Sequence, residues 1–584
     1  MVFNHRKNAL FALLLLIASS TSLFCSSEEI IVIAQATVEA DLHVAETPLV
    51  KEIIIVGGGM IGGMEAYFAW LEAKEHNIPV RITIYDKNNS LAETTISNIV
   101  PSLTPDEILS VIPRGPELVK KMKILFSEPG GIRVEDVADV HESASTEHFT
   151  QEVQAYSLDE EGHKQRTQAL LELGKMSMDL WQEIYQNADD EFKEILRLSN
   201  FNRCGEPSSK TKKLHDGYRI DLIYNIANAA ERANGMKADY VALGYKQCTI
   251  LSPDEVMAID PFLTDFCMAH SKNNVWDNDA VALWRPGGCL DGQVFLPKLY
   301  EYLKKVMGTY TNAQGKQEDC FQIKFGKKVV GVEYAQIDGN MVVSGLTFED
   351  GNAVTTECGC TDYVFCPGEA VGTLKQLGFA EPAYAGFAGA SLMLDIEIPK
   401  KKIKKYKKFS HCMEVHQEGV VLAWQARFRD NKIFIGGAGT KAYYGDQRPT
   451  KDQAFAKNRN LLQLNMMNDV LPEFLSLALG YDTKGKVLTE KDLDYLEAHN
   501  IAKRWAGVRA VVYDGFPTLG CLYHDDMKVI NARATTHLGS GGGSFAPAAT
   551  HVSRKAMNNE TDPFINMILD YADSYRTAVQ LNFN

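Results

Sequence analysis

The run Lys51-Glu-Ile-Ile-Ile-Val-Gly57-Gly-Gly59-Met60-Ile61-Gly62 constrains this chain more than any other stretch. β-Branched residues leading into G-x-G-x-x-G predict a buried parallel strand from Ile53 to Val56 and a tight turn at Gly57. They also predict a close backbone approach to a ligand at Gly59 and a helix packed tight through Gly62. Met64, Tyr67, Phe68 and Leu71 recur at helical spacing, so the helix lies on a core and turns its first N–H groups toward a phosphate. After Asn77-Ile-Pro79, a second strand from Arg81 to Tyr85 ends in Asp86, an acid placed to accept hydrogen bonds from an adenosine ribose. This βαβ unit predicts a dinucleotide site and leaves FAD and NAD(P) both open. The acid at 86 argues against a 2′-phosphate, and the position near the start of the chain favours FAD.

A chain of 584 residues has room for more than one core, and 45% hydrophobic with 23% charged residues is the composition of a globular protein. The net charge of -15 repels a phosphate backbone, which excludes nucleic acid as the main partner. The local exception is the basic run Lys400, Lys401, Lys402, Lys404, Lys405, Lys407 and Lys408. It reads either as a solvated loop or as a contact with an anionic membrane surface. Near the N-terminus, His5, Arg6 and Lys7 precede the apolar run Ala9 to Ile17 and the small residues Ala18, Ser19 and Ser20. Residues 1–36 therefore read as a signal peptide or an uncleaved N-terminal anchor, and the protein as exported, periplasmic or secreted. The 11 cysteines lack metal-site spacing, and His411, Glu414 and His416 read as ordinary residues, so no metal is expected.

Farther along, Thr94, Thr95 and Ser97 form a hydroxyl-rich turn that either caps a helix or contacts a phosphate. From about 113 to 278 the chain reads as helical and charged. Phe321 to Phe325, Lys328 to Tyr334 and Met341 to Phe348 read as a strand meander with turns at Asp338-Gly and Asp350-Gly. Asp362 to Gly368 reads as another strand of the first sheet, and a long helix is expected from Asp452 to Met467. The second informative stretch combines Trp505-Ala-Gly507-Val-Arg509 and Asp514-Gly-Phe-Pro517-Thr-Leu-Gly520 with His537-Leu-Gly539-Ser-Gly541-Gly542-Gly543-Ser544-Phe-Ala-Pro547. Glycines ahead of a small apolar run again describe a loop that opens a helix. Two such helix starts suit a long, two-ended cofactor.

On these motifs the sequence resembles the FAD-dependent oxidoreductases of the D-amino-acid oxidase family. The resemblance implies an α/β fold: a Rossmann-like FAD-binding domain with a doubly wound parallel sheet, and an α+β substrate domain inserted in it. The expected boundaries are 50–112 with 281–380 and 501–557 for the FAD-binding domain, and 113–280 with 381–500 for the substrate domain. A C-terminal helical tail follows at 558–584. The resemblance places Gly57, Gly59, Met60, Ile61 and Gly62 at the pyrophosphate and Asp86 at the ribose. Thr94, Thr95, Val330 and Gly368 follow along the cofactor, with Gly541, Gly542 and Ser544 against the isoalloxazine and ribityl chain. Arg509 matches the arginine that grips a substrate carboxylate, which suits a planar guanidinium able to form two parallel hydrogen bonds. The implied activity is oxidation of a C–N bond in a small carboxylate-bearing amine by hydride transfer to the flavin. Oxidation of a 2-hydroxy acid and a non-catalytic flavoprotein stand as alternatives. The sequence departs from the family in having Ala510 where proline often follows the arginine, and Ser540 where the glycine motif often has histidine. The oligomeric state is left open.

Overall fold

The structure is a computed structural model. It describes residues 50–98, 102–105, most of 152–197, 218–223, 229–242, 248–255 except 253, 281–401 apart from a few positions, the strands 412–416, 425–429 and 432–443, and 472–573 apart from a few positions. The basic run beyond Lys401, the helix expected at 452–467 and the N-terminal segment 1–36 lie outside the described residues. Lys400 and Lys401 are exposed. Among the described residues no helix is long and apolar enough to cross a membrane.

The fold is α/β, organised on a nine-stranded mixed sheet. β1 (Lys51–Val56) leads into α1 (Met60–Glu75), and the chain returns through Asn77, at φ 53°, to β2 (Val80–Tyr85). Two further helices matter for the core, α2 (Glu160–Asn187) and α3 (Gly292–Met307). The sheet is completed by β3 (Phe321–Lys324), the hairpin β4 (Val329–Ile337) and β5 (Asn340–Phe348), and β6 (Thr361–Phe365). β7 (Tyr384–Glu397), β8 (Lys432–Tyr443) and β9 (Ala502–Val512) form a separate antiparallel sheet with Gln425–Arg429. β10 (Thr518–His524) and β11 (Met527–Thr536) return to the large sheet, and α4 (Ala546–Met557) and α5 (Pro563–Ala572) end the described chain.

The order across the large sheet is β3-β2-β1-β6-β11-β5-β4, with β10 paired to β11 and Ala353–Thr355 to β5. β1 runs parallel to β6 with Val56 opposite Phe365, and β6 runs parallel to β11. Burial explains the β-branched run in β1. Ile53 and Ile55 face α1 and α3, while Ile54 and Val56 face the side covered by β4, β5 and Leu374 and Leu377. A strand covered on both faces reads as a continuous apolar run rather than an alternating one.

Two expectations change. Phe321–Lys324 is not part of the meander: it pairs in parallel with β2, Phe321 opposite Ile82. Its one-residue alternation is the same in either sheet, so periodicity could not tell them apart. The region expected to be helical also supplies Tyr218–Ile223 and Thr249–Leu251, which with Val281–Pro286 and Cys412–His416 make a four-stranded sheet.

α2 packs into the same core as the glycine-led helices. Ala169, Leu170 and Leu173 cluster with Phe545, Ala548 and Val552 of the α4 end. Trp181 and Ile184 cluster with Met64 and Tyr67 of α1. Polar groups also tie α1 to the far end of the chain. Glu65, fully buried, accepts from Arg533 Nη2 at 2.7 Å and from Thr535 Oγ1 at 2.6 Å, and Glu72 contacts Arg554.

Candidate active site

The first glycine loop is held by contacts that assign each glycine a separate reason. Gly57 has φ 108°, and its N–H donates to Tyr85 O at 2.8 Å. A β-carbon there would come 2.1 Å from Cys366 O, and one on Gly62 would come 1.9 Å from Gly57 O. Both positions must be glycine for the chain to close on itself. Gly59 is different. A β-carbon on it would meet nothing within 4 Å, and its backbone at φ -76° suits any residue. A side chain at this position would enter open space beside the start of the helix.

Gly59 caps α1 without a side-chain hydrogen bond, and the first turn carries no acid. The first intrahelical bond runs from Gly63 N to Gly59 O at 3.0 Å, so the amides of Met60, Ile61 and Gly62 precede it. Those are the donors a helix start leaves for an anion. The Met60 side chain is buried in the core, so only its backbone is offered.

Gly58 is gripped at both ends. Its N–H donates to Asp86 Oδ2 at 2.6 Å, and its carbonyl accepts from the Tyr300 hydroxyl of α3 at 2.9 Å. Burial, with Asp86 and Cys366 nearby, pushes the Tyr300 phenol well above its ordinary value, so it stays a neutral donor. Asp86 is buried and also accepts from Asn88 N at 2.7 Å. Two of a carboxylate's roughly four lone-pair sites are thus filled, and the others can meet a ribose. Tyr300→Phe is expected to lower stability by about 1 kcal/mol through loss of this bond, and flavin affinity by less than about tenfold, because Asp86 still fixes the loop. Urea denaturation and flavin titration of the variant measure both.

The start of β4 is docked on the same corner, since Lys327 N donates to Asp86 O at 2.8 Å. Val330, just beyond, is 44% exposed. Gly368, at φ 59°, follows Cys366, whose N–H donates to Val56 O at 2.8 Å beside the Gly57 turn. Thr94 Oγ1 and Ser97 Oγ both donate to Leu91 O, at 2.7 and 2.8 Å. Their protons serve the turn and only their lone pairs remain for a further partner. Thr95 is half-buried.

The second glycine loop joins β11 to α4. Gly539 N donates to Ala510 O at 3.2 Å, which ties the loop to β9. Gly541 and Ser540 lie outside the described residues. Gly542 repeats the signature of Gly59, a β-carbon there meeting nothing within 4 Å. Ser544 is buried, its Oγ accepting from Thr104 N at 2.8 Å and its carbonyl from Ser177 Oγ of α2. The first turn of α4 carries no acid.

Arg509 is half-buried on β9, opposite Phe387 of β7, and adjoins the residue that holds Gly539. The β7–β9 register is regular, so Trp505, Gly507 and Arg509 share one face of the strand. A β-carbon on Gly507 would fall 1.9 Å from the Trp505 ring, so the indole lies across that glycine toward Arg509.

Three contributors were not legible in the sequence. Tyr300 and Ser177 sit on ordinary amphipathic helices. His537 is buried at the root of the second loop, with φ 59°, where the family pattern pointed instead to position 540. Its unusual backbone conformation is invisible in a sequence.

The sequence matches no family model and no curated protein. Solved structures with a similar chain course include glycine oxidase from Geobacillus kaustophilus, at 12% identity over 90% of this chain and 99% of that chain, TM-score 0.49. Another is L-proline dehydrogenase from P. horikoshii, at 13% identity over 91% and 98%, TM-score 0.47. A third is L-amino acid deaminase from Proteus vulgaris, at 14% identity over 91% and 97%, TM-score 0.46. At these values the likenesses fix neither substrate nor chemistry.

Proposed function

We propose that the protein is an FAD-dependent oxidoreductase that oxidises the C–N bond of an amino acid or a related carboxylate-bearing amine. The observation that carries this reading is the pair of open glycines, Gly59 and Gly542, each ahead of a helix whose first turn has no acid. Elsewhere in the first loop a β-carbon would strike protein; at these two positions, each at a helix start, it would enter open space. Two such helix starts, packed on each other through α1 and α4, suit a cofactor with a pyrophosphate and a second polar end.

FAD, when bound, supplies the hydride acceptor. The amides of Met60, Ile61 and Gly62 hold the pyrophosphate, and Asp86 holds the adenosine ribose. Thr94, Thr95, Val330 and Gly368 line the cofactor's path, and Gly541, Gly542 and Ser544 face its ring and ribityl chain. Arg509 grips the substrate carboxylate through two parallel hydrogen bonds, and the Trp505 ring on the same strand face gives that site an apolar wall. The division into a discontinuous FAD-binding domain and a substrate domain from 113–280 and 381–500 belongs to the same proposal. So does export directed by residues 1–36, supported by the basic residues ahead of Ala9 to Ile17. Contact of the basic run at Lys400 with an anionic membrane surface completes it.

The test is the visible absorption spectrum of the purified protein, followed by anaerobic addition of pooled D-amino acids, L-amino acids, N-methyl amino acids and 2-hydroxy acids. Yellow protein bleached by an amine pool supports the reading. Bleaching by 2-hydroxy acids alone replaces the substrate class, and protein that neither carries nor takes up FAD overturns the whole. Arg509→Met should raise KM for the bleaching substrate at least about tenfold, the loss of a charge-assisted pair, while bound flavin stays unchanged.

A further inference from the structure

His537 directly follows β11 in a left-handed backbone conformation, φ 59°, that is uncommon for a non-glycine residue. Its imidazole has two polar partners and no solvent. Nδ1 lies 2.8 Å from Thr518 Oγ1 of β10, and Nε2 lies 3.0 Å from Glu381 Oε1, with both side chains 1% exposed. Glu381 Oε1 forms no hydrogen bond among the described residues, so its approach to Nε2 is an ion-pair contact, while Oε2 accepts from Lys375 N at 2.9 Å. The Tyr384 ring lies parallel to the imidazole, centroids 6.2 Å apart. A buried carboxylate with a single imidazole at one oxygen makes each group dependent on the other.

The location gives this pair its use. Two residues on, Gly539 N donates to Ala510 O, next to Arg509. Tyr513 N, on the same run of chain, donates to Ala383 O, two residues from Glu381. The His537–Glu381 contact therefore closes a ring of chain: from 381 through β7 to β9, across to Gly539, and back through His537.

We propose that His537, clamped by Glu381 and Thr518, is a positioning residue that sets the backbone at Gly539 and, through Ala510, the placement of Arg509. The inference rests on the flavin reading above. Without the clamp, the left-handed backbone at 537 relaxes, Gly539 loses its fixed place at the ring end of the cofactor, and β9 loses its tie. The adenosine end, held by Asp86 and Tyr300, is untouched.

The experiment compares wild type with His537→Ala, Glu381→Ala and Glu381→Gln in three readouts. These are thermal melting of the flavin-free protein, FAD affinity by quenching of flavin fluorescence, and visible-region circular dichroism of the bound flavin. Both alanine variants should bind FAD about tenfold or more weakly and show an altered flavin dichroism. Glu381→Gln, which keeps an oxygen beside Nε2 in the same volume, should restore most of the wild-type affinity and spectrum. A purely structural role would shift melting while leaving affinity and dichroism at wild-type values, and that result overturns the proposal. Should His537→Ala not fold, Glu381→Ala and Glu381→Gln decide it by the same criteria. If wild type itself takes up no FAD, the flavin reading fails and this inference with it; wild-type binding with unchanged variants sinks this inference alone.

Discussion

Gly59→Val is expected to yield a folded protein that takes up no flavin, with FAD affinity reduced at least about a hundredfold. The reasoning separates folding from binding at one residue. In the protein a β-carbon at 59 touches nothing within 4 Å, and the φ of -76° is open to every residue. Replacing glycine with valine at a helix N-cap costs only about 1 kcal/mol, so melting should change little. The added methyls would, however, stand in front of the amides of Met60, Ile61 and Gly62, where a pyrophosphate needs contact with the backbone itself. Gly62→Ala serves as the opposite control. Its single methyl would fall 1.9 Å from Gly57 O, so that variant should lose stability as well as flavin. Circular dichroism melting beside flavin titration distinguishes the two, and wild-type flavin content in Gly59→Val would remove the ligand from this loop.

The second large effect lies in the core. Glu65→Ala should destabilise the protein by about 3–5 kcal/mol, because it removes the carboxylate that pairs with the buried Arg533 guanidinium. The carboxylate is fully buried and Arg533 is 3% exposed at its side chain. Thr535 Oγ1 also contacts Ser553 Oγ at 2.9 Å, so the disturbance reaches α4. The double change Glu65→Leu with Arg533→Met should recover most of the loss, since a buried pair replaced by apolar residues of similar volume is often neutral. Urea denaturation of the three proteins checks this. A single-variant loss below about 1 kcal/mol would show that water or a local shift satisfies Arg533 instead.

How much of this was legible in the sequence varies with how local the signal is. The glycine spacing foretold β1, the turn at Gly57, α1 and β2, because that signal is local. The same holds for the strand at 361–365 and the turns at Asp338-Gly and Asp350-Gly. The packing of Gly57 on Cys366 O was not legible, since it comes from a strand roughly 300 residues on. Phe321–Lys324 was placed in the wrong neighbourhood because an alternating pattern says that a strand has a buried face, not which strand it pairs with. Tyr300, Glu65 and His537 carry no sequence signal for a related reason. Their partners are Gly58, Arg533 and Glu381, and only the closed topology brings them together. Polar residues on helices and strand ends usually face water, so sequence gives no sign that these are buried.

The interleaving of the large sheet has a consequence for how the chain comes into being. β1 and β2 are made before the other strands of this sheet, yet β6, which pairs with β1, leaves the ribosome much later, and β11, which pairs with β6, later still. At about 5–20 residues per second, roughly 20–90 s separate the synthesis of β2 from that of β11. Through that interval β1 and then β6 present unpaired edges, the kind of surface that recruits foreign strands. Chains truncated between β6 and β11 should therefore aggregate rather than persist as soluble half-molecules. In the cell, the nascent protein would depend on holding factors until β11 arrives. Refolding of the full chain from urea should be slow for the same reason, since the contacts that complete the sheet join its most distant segments.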